Sequence, residues 1–336
     1  MARLFYGKYF MKQVTTTLPV LESLNVDQLE AGEHKFEFAV ATNALGQRQH
    51  LPVRVFKGAK PGKKIVITAG VHGDEQSGIV AALKLANELV GKELSGCVTI
   101  LPALNPTGIL RHSRDFYPAD PDTSPSNMNR FFPGNPEGDE VQRFIASLWN
   151  NMLRPNADFA IDLHTQTSGT TYPLYVFADY RIEMAKQMAY QLNPDVILDD
   201  PGDKGVLETA WNESGVPCIT IEVGAGRYTD KAMIERTVEG MLEILKMHGV
   251  LEGNPADVKG CIEGTKTTSI KAKQGGFIEC HVDLLQQVEQ GELLATQMNS
   301  FGEVTEEYHA PHAGTVLSHN VEALRAPGSL VVRLIS

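Results

Sequence analysis

The sequence lacks the features that would place it in a membrane or in a disulfide-stabilised scaffold. No run of about 18 apolar residues occurs, so no transmembrane helix is expected. The N-terminal segment MARLFYGKYFMKQVTTTLPV has neither the apolar core nor the cleavage site of a signal peptide. The cysteines are scattered and no pair has CxxC spacing, so the cytoplasm is the expected compartment. The four cysteines are Cys97, Cys218, Cys261 and Cys280.

Positive charge is also scarce. The chain of 336 residues has 30 lysine and arginine residues against 41 aspartate and glutamate residues, a net charge of -11. An acidic surface repels phosphate backbones, so nucleic acid is not expected as a partner. The same balance still permits a locally positive cleft. A hydrophobic content of 42% is ordinary for a globular protein, and the length favours one large domain plus one small one.

Strand and helix patterns alternate over the first two thirds of the chain. Short apolar runs such as KKIVITAG, CVTILPALNP, ADFAIDLHT and VPCITIEVG predict buried strands, and residues 35–56 predict an antiparallel hairpin. The stretch EQSGIVAALKLANELVG predicts a helix, with Ile79, Leu83, Ala86 and Val90 at helical spacing. This alternation predicts an α/β fold with a mixed sheet and helices on both faces.

The pattern changes after His248. Residues 258–336 carry short strands and many glycines without a convincing helix, which predicts a small all-β domain. The predicted domains are therefore residues 1–250 and 251–336.

Polar side chains follow several of the predicted strands. His72 and Glu75 lie in a strand-to-helix turn, and His164 and Glu222 end later strands. In α/β sheets, ligands bind outside the carboxyl ends of the strands. Two histidines and one glutamate leave a fourth position open for water, as catalytic zinc requires, and Glu222 could move the proton of that water. An isolated HxxE is common by chance, so the alternative is a set of unrelated, hydrogen-bonded polar residues.

Five motifs together carry a resemblance. GVHGDEQSG, NPTG, NMNRFFPG, DLHT and ITIEVG occur in the order found in the succinylglutamate desuccinylase/aspartoacylase family, whose members resemble zinc carboxypeptidases. The resemblance implies a zinc-dependent amidohydrolase with one Zn²⁺ per chain. It implies His72, Glu75 and His164 as metal ligands and Glu222 as the catalytic general base and acid.

The same resemblance implies a small acidic substrate that carries a carboxylate. Arg130, with Asn129 beside it, is expected to hold that carboxylate, since a guanidinium can bind it through two hydrogen bonds. Arg114 is expected to stabilise the oxyanion, and Arg111 is its nearest rival.

Two features depart from the family pattern. The family often has aspartate where this chain has Asn127, so either the amide or another carboxylate, among Asp162, Asp122 and Asp74, would orient a ligand histidine. The segment DFYPADPDTSPSNM is also longer than usual and is expected to reshape the substrate pocket. Asp74 and Gln76 are expected to cap the following helix.

The C-terminal segment resembles a biotinyl/lipoyl-like barrel-sandwich fold. The hairpin that would carry the modified lysine reads SHNVEALRAPG, so neither biotin nor lipoate is expected. His309 and His312 are not expected to bind a second metal.

The expected activity is cleavage of the amide bond of an N-acyl amino acid. The alternatives are a metallocarboxypeptidase acting on peptides, an esterase and, least favoured, a non-catalytic binding protein; a homo-oligomer is possible.

Overall fold

The computed structural model describes residues 18–336, so the N-terminal segment considered for a signal peptide lies almost entirely outside it. The strands of the N-terminal part are β1 (Val20–Leu21), β2 (Gly32–Thr42), β3 (Arg48–Lys57), β4 (Lys60–Ala69), β5 (Ser95–Leu101), β6 (Phe159–Gln166), β7 (Thr170–Thr171), β8 (Leu174–Ala178), β9 (Val196–Asp199) and β10 (Cys218–Ala225). The helices are α1 (Gln76–Glu88), α2 (Pro106–Ile109), α3 (Glu140–Leu148), α4 (Glu183–Gln191), α5 (Leu207–Glu213) and α6 (Lys231–Met247). The remaining strands are β11 (Ile262–Gly264), β12 (Thr267–Lys271), β13 (Gly276–Cys280), β14 (Gln287–Val288), β15 (Leu293–Met298), β16 (Val304–His309), β17 (Gly314–Asn320), β18 (Leu324–Arg325) and β19 (Leu330–Ile335).

A ten-stranded sheet forms the centre of the molecule, in the order β1-β2-β3-β5-β4-β6-β10-β8-β9-β11. Strands β5, β4, β6 and β10 run parallel to one another, and β10 pairs antiparallel with β8. Strands β2 and β3 form the predicted hairpin. The prediction of a mixed sheet is therefore confirmed.

Helices cover both faces of this sheet. Strand β4 needs cover on both faces because its side chains are apolar on both sides. Ile65 and Ile67 belong to one hydrophobic core, and Val66 belongs to the other. Helices α1, α4 and α6 pack into the first core, and α3 and α5 pack into the second. Strands β4, β6 and β10 are thus held rigidly at the centre, with their carboxyl ends side by side.

The buried face of α1 consists mostly of small residues. Leu83 is 43% exposed, and Val90, which follows the end of the helix, is 53% exposed. The helix lies very close to the sheet: a Cβ added at Gly78 would come within 2.8 Å of the Leu163 carbonyl oxygen. Small residues therefore form most of the contact surface, which consists of Ser77, Gly78, Ala81, Ala82, Leu85 and Ala86.

The C-terminal part consists of strands, as predicted. One sheet has the order β12-β19-β17-β14, with β7 also pairing with β17, and the other has the order β16-β15-β13-β18. Strand β11 belongs instead to the edge of the large sheet, and β7 comes from the N-terminal part. The two parts are thus joined by strand pairing, and the boundary between residues 250 and 251, like the barrel-sandwich description, stays a prediction. None of the helices within residues 18–336 has the length and apolar character needed to cross a bilayer.

A partly buried histidine is expected to make the stability of the fold sensitive to acid. The ring of His248 stacks on Phe159 with 3.8 Å between ring centroids. Burial, with a smaller effect of the Lys63 charge, lowers its pKa to about 4. An unfolded histidine titrates near 6.5, so between about pH 6.5 and 4 the unfolded chain binds more protons, and stability falls as the pH falls.

We expect His248→Gln to reduce this loss by about 1–2 kcal/mol, allowing for the partial exposure of the ring. The measurement is urea unfolding at several pH values between 7 and 4. His309→Gln, at an exposed histidine, is the control, and equal pH dependence in wild type and His248→Gln would contradict the assignment.

Candidate metal centre and active site

Three buried side chains converge at the carboxyl ends of β4 and β6. The Nδ1 atom of His72 lies 2.8 Å from Glu75 Oε1, and the Nδ1 atom of His164 lies 2.8 Å from Glu75 Oε2. The two Nδ1 atoms are 3.1 Å apart. Each side chain offers a ligand atom, and these atoms lie within 4.8 Å of one another. The residues predicted as metal ligands are therefore brought together.

The turn between β4 and α1 makes this convergence possible. His72 and Glu75 lie on either side of Gly73, where an added Cβ would come 2.1 Å from the backbone of Gly108. Only glycine permits this close approach, which lets two side chains three residues apart face one point. His164 reaches the same point from the neighbouring strand.

The hydrogen bonds of the two histidines fit a cation. Asn127 Oδ1 accepts from the backbone N–H of Asn129 at 2.9 Å, which identifies this atom as an oxygen, and it lies 3.0 Å from His72 Nε2. Asp162 Oδ2 lies 2.6 Å from His164 Nε2. Both Nε2 atoms therefore donate, and in the neutral rings both Nδ1 atoms are acceptors. Two acceptor nitrogens and a carboxylate facing each other need a shared positive charge, and this donor set suits zinc.

These contacts also show which groups orient the two histidines, although Asn127 stands where the family often has aspartate. The amide itself orients His72, and Asp162 orients His164. Asp74 has a different role, because it accepts a hydrogen bond from Ser168 Oγ at 2.7 Å. The expectation that Asp74 and Gln76 cap α1 was wrong: Gln76 contacts His112, and the N-cap position is taken by Glu75, whose side chain makes no capping bond.

The charges within the cluster shift its ionisation. Burial opposes ionisation of His164, but Asp162 and Glu75 hold its pKa well above the usual value. Burial likewise opposes ionisation of Glu75, and the two histidines lower its pKa well below the ordinary range. For His72, burial lowers the pKa despite the nearby Glu75. The site thus favours an ionised Glu75 next to positive charge.

Glu222 lies beside this cluster, on β10. It is paired in register with His164 on β6, so the two side chains emerge from adjacent strands at the same level. Burial, and secondly the charge of Glu75, raises the Glu222 pKa to about 8. Its Oε2 atom is buried and has no hydrogen-bond partner among the described residues. Such a carboxyl group can accept and release a proton near neutral pH.

All seven predicted site residues line one cavity of about 300 Å³. They are His72, Glu75, Arg114, Asn129, Arg130, His164 and Glu222. The catalytic and substrate-binding roles given to four of them, Arg114, Asn129, Arg130 and Glu222, stay predictions, but their placement in one concave site is what those roles require.

The structure distinguishes the two candidate arginines. Arg114 Nη1 lies 2.7 Å from Glu75 Oε1 and 3.3 Å from Thr167 Oγ1, so its guanidinium reaches the candidate metal centre. Arg111 instead stacks over the ring of Tyr117, 4.8 Å from its centroid, and does not line the cavity. Arg114 is therefore the arginine that can reach a substrate oxygen.

Asn129 and Arg130 line another part of the same cavity. Asn129 Oδ1 accepts from the backbone N–H of Leu207 at 2.8 Å, which leaves its NH₂ group free to donate. Arg130 donates to the Asn129 carbonyl at 2.6 Å, and within residues 18–336 no carboxylate lies within 4.0 Å of its guanidinium.

The long segment before Asn129 does not enter the cavity. Phe116 and Ser126 close it through reciprocal backbone hydrogen bonds, and the Phe116 ring is fully buried against Phe144. None of residues 115–128 lines the cavity described, and the expectation that the segment reshapes the substrate pocket stays a prediction. It contributes instead through Asn127, which orients His72.

Sequence reasoning missed several residues of the cavity. Arg333 reaches it from β19 and donates to the Tyr172 hydroxyl through Nη1 and to Ser269 Oγ through Nε at 3.0 Å. No local sequence motif predicts that Arg333 reaches the cavity. It is brought there by the pairing of β7 with β17 and of β17 with β19. Tyr172 also lines the cavity.

The sequence of this chain matches that of a known protein family. The family model of the succinylglutamate desuccinylase/aspartoacylase catalytic domain matches residues 61–248. The chain belongs to this family. As a member of the succinylglutamate desuccinylase/aspartoacylase family it is a hydrolase, and the family is metal-dependent, which agrees with the His72, Glu75 and His164 cluster.

Relatives of the family resemble the chain over most of its length. It is 27% identical over 291 residues to an N-alpha-acetyl-L-2,4-diaminobutyric acid deacetylase of Halomonas elongata, covering 81% of this chain and 82% of the relative. The product-bound ectoine utilization protein EutE (DoeB) from Ruegeria pomeroyi has a TM-score of 0.81 at 23% identity, covering 91% and 96% of the two chains. A succinylglutamate desuccinylase from Silicibacter sp. TM1040 has a TM-score of 0.79 at 22% identity, covering 93% and 97%. The two structures share the fold with this chain.

Proposed function

We propose that this protein is a zinc-dependent hydrolase that cleaves the amide bond of an N-acyl amino acid. The observation that carries the proposal is the position of Glu222, whose buried Oε2 atom has no partner among the described residues, in register with His164 and beside three converging side chains that could hold a metal. This combination of a metal site and an adjacent proton-transfer group suits metal-assisted hydrolysis.

The candidate ligands would hold one zinc ion. Bound by His72, Glu75 and His164, zinc would supply a Lewis acid for the scissile carbonyl and lower the pKa of water. Glu222 would take the proton of the attacking water and deliver it to the departing amine nitrogen.

Other side chains would orient the substrate and stabilise charge. Arg114 would donate toward the oxygen that becomes negative in the transition state. Arg130 and the free NH₂ group of Asn129 would hold the substrate carboxylate, because a guanidinium and an amide together offer several donors to one carboxylate. The proposed substrate is thus a small molecule with a carboxylate next to the amide that is cleaved.

The relative from Halomonas elongata supports this reaction class. That relative is named as a deacetylase of N-alpha-acetyl-L-2,4-diaminobutyric acid, and the similarity covers most of both chains. We therefore favour an N-acyl amino acid over a peptide.

A substrate panel tests the proposal. With the full-length protein and its metal, we expect kcat/KM for the best N-acetyl or N-succinyl amino acid to exceed that for any dipeptide or O-acyl ester by at least about tenfold, the effect of about 1.4 kcal/mol of transition-state binding. Amine release is the readout for amides and acid release for esters. A preference for peptides with a free C-terminus would favour a carboxypeptidase, and full metal content without any hydrolysis would favour a binding protein.

A further inference from the structure

The loop that leads to Arg114 lies largely in solvent. Leu110 is 81% exposed, and Arg111 and His112 are exposed as well. A loop of this kind has few apolar contacts, so its shape depends on hydrogen bonds. Arg114 can stabilise an oxyanion only from a fixed position, because a displacement of about 1 Å can cost about 100-fold in rate. The contacts that hold residues 110–114 are therefore expected to matter for the reaction.

Arg227 binds the backbone carbonyl of His112 through two hydrogen bonds. Its Nε and Nη2 atoms donate to this oxygen at 3.1 and 2.6 Å. Hydrogen bonds from a charged donor are stronger than those between neutral groups. The carbonyl lies two residues before Arg114, so these bonds fix the backbone close to the point where that side chain begins. The ring of His112 is held as well, because its Nδ1 atom lies 2.8 Å from Gln76 Nε2.

The backbone around Arg227 is itself anchored next to the candidate metal centre. The N–H group of Arg227 donates at 2.8 Å to the carbonyl of Asp74, in the turn that carries two of the candidate ligands. The N–H group of Gly226 donates at 2.7 Å to the carbonyl of Gln166, the last residue of β6. Arg227 therefore links the turn after β4 and the end of β6 to the loop that leads to Arg114.

Both residues of this contact have an unusual backbone conformation. Arg227 has a φ of 58° and His112 a φ of 49°, in the left-handed region that residues other than glycine seldom adopt. Such conformations cost free energy and persist only where the surrounding contacts impose them. At His112 those contacts include the side chains of Arg227 and Gln76, so we expect the loop to relax when the Arg227 guanidinium is removed.

We propose that Arg227 is a positioning residue for Arg114, which it holds beside the candidate metal centre by binding the His112 carbonyl. This inference rests on the proposed function, in which Arg114 donates to the oxyanion. Arg227 is not among the described residues that line the cavity, so it acts through Arg114 and not on the substrate.

Arg227→Met tests this role, because methionine keeps much of the side-chain length and removes both donors. For the metal-loaded enzyme and its best N-acyl amino acid, we expect kcat to fall at least about tenfold and KM to change less than about threefold. The oxyanion exists only in the transition state, so the loss appears in kcat. Arg227→Lys retains a charged donor and should recover part of the loss.

Arg143→Met is the matched control. Arg143 also donates to a backbone carbonyl, from Nε to Gly138 at 2.6 Å, but neither residue lines the cavity. This variant should keep the kcat of the wild type. Thermal unfolding and metal analysis accompany each variant, and unchanged kcat in a folded, metal-loaded Arg227→Met protein would overturn the inference.

A double-mutant cycle distinguishes positioning of Arg114 from a general loosening of the fold. If Arg227 acts through Arg114, then Arg227→Met should lower kcat by less than about twofold in an Arg114→Gln background. An undiminished effect in that background would overturn the inference. If Arg227→Met fails to fold, Arg227→Gln takes its place and must meet the same conditions.

Hydrogen exchange separates this inference from the proposed function. The N–H groups of Arg111, His112 and Ser113 form hydrogen bonds within the loop, so their exchange reports its opening. Arg227→Met should accelerate this exchange at least about fivefold, and Arg143→Met should not. If no N-acyl amino acid is hydrolysed, the proposed function fails, but faster exchange would still support the positioning role. Unchanged exchange in a folded Arg227→Met protein would overturn that role whatever the activity.

Discussion

Glu222→Gln is expected to lower kcat by at least about a thousandfold while the protein keeps its metal. Glutamine has nearly the same size, so the cavity and the metal ligands should keep their arrangement. It can neither accept a proton from water nor deliver one to the leaving nitrogen. The buried Oε2 atom of Glu222 has no protein partner among the described residues, so the substitution breaks no hydrogen bond of that atom.

The measurement combines single-turnover kinetics with metal analysis and thermal unfolding. Normal metal content with a large loss in kcat would separate a proton-transfer role from a structural one. Glu235→Gln, at an exposed position on α6, is the control and should retain full activity. A folded Glu222→Gln protein with unchanged kcat would remove Glu222 from the chemistry.

His164→Ala is expected to empty the metal site and abolish the activity. The substitution removes one of three protein ligands and leaves His72 and Glu75, which are too few to retain zinc against dialysis. We expect the metal content to fall to less than about a tenth of an ion per chain. Atomic emission spectrometry after dialysis gives this value independently of any activity assay.

Asp162→Asn is expected to have a smaller effect on the same metal site than His164→Ala. It keeps all three ligands but weakens the hydrogen bond that orients His164, so we expect about a 10- to 100-fold loss in metal affinity. His312→Ala, which alters a histidine between β16 and β17 that contacts Thr268, should leave the metal content unchanged. Full metal occupancy in His164→Ala would show that the convergence of the three side chains does not constitute the metal site.

The parts of the fold that were predicted correctly are those in which local pattern and burial agree. KKIVITAG is apolar on both sides of a strand and lies between two cores, as its composition indicates. In α1 the pattern and the burial disagree, because the large residue Leu83 faces solvent while mostly small residues face the sheet. How closely a helix approaches a sheet depends on its partner surface, and one sequence segment does not contain that information.

Some residues of the candidate site could also be predicted from the sequence, and others could not. The candidate metal ligands and Glu222 could be named from the sequence because each lies near or just beyond the carboxyl end of a buried strand, and neighbouring parallel strands end at the same edge. The contact between Asn127 and His72 could not be predicted, because it depends on how a loop folds over the turn after β4. Arg333 was missed because it belongs to no motif of its own.

By itself, the sequence determined the central α/β sheet, the strands of the C-terminal part and the four polar side chains at the strand ends. These features follow from short-range patterns of apolar and polar residues. Only the tertiary structure decided which arginine reaches the candidate metal centre, what orients each histidine and which charges line the cavity. Those properties depend on contacts between segments up to 161 residues apart, as for Tyr172 and Arg333, and such contacts form only when the sheets pack.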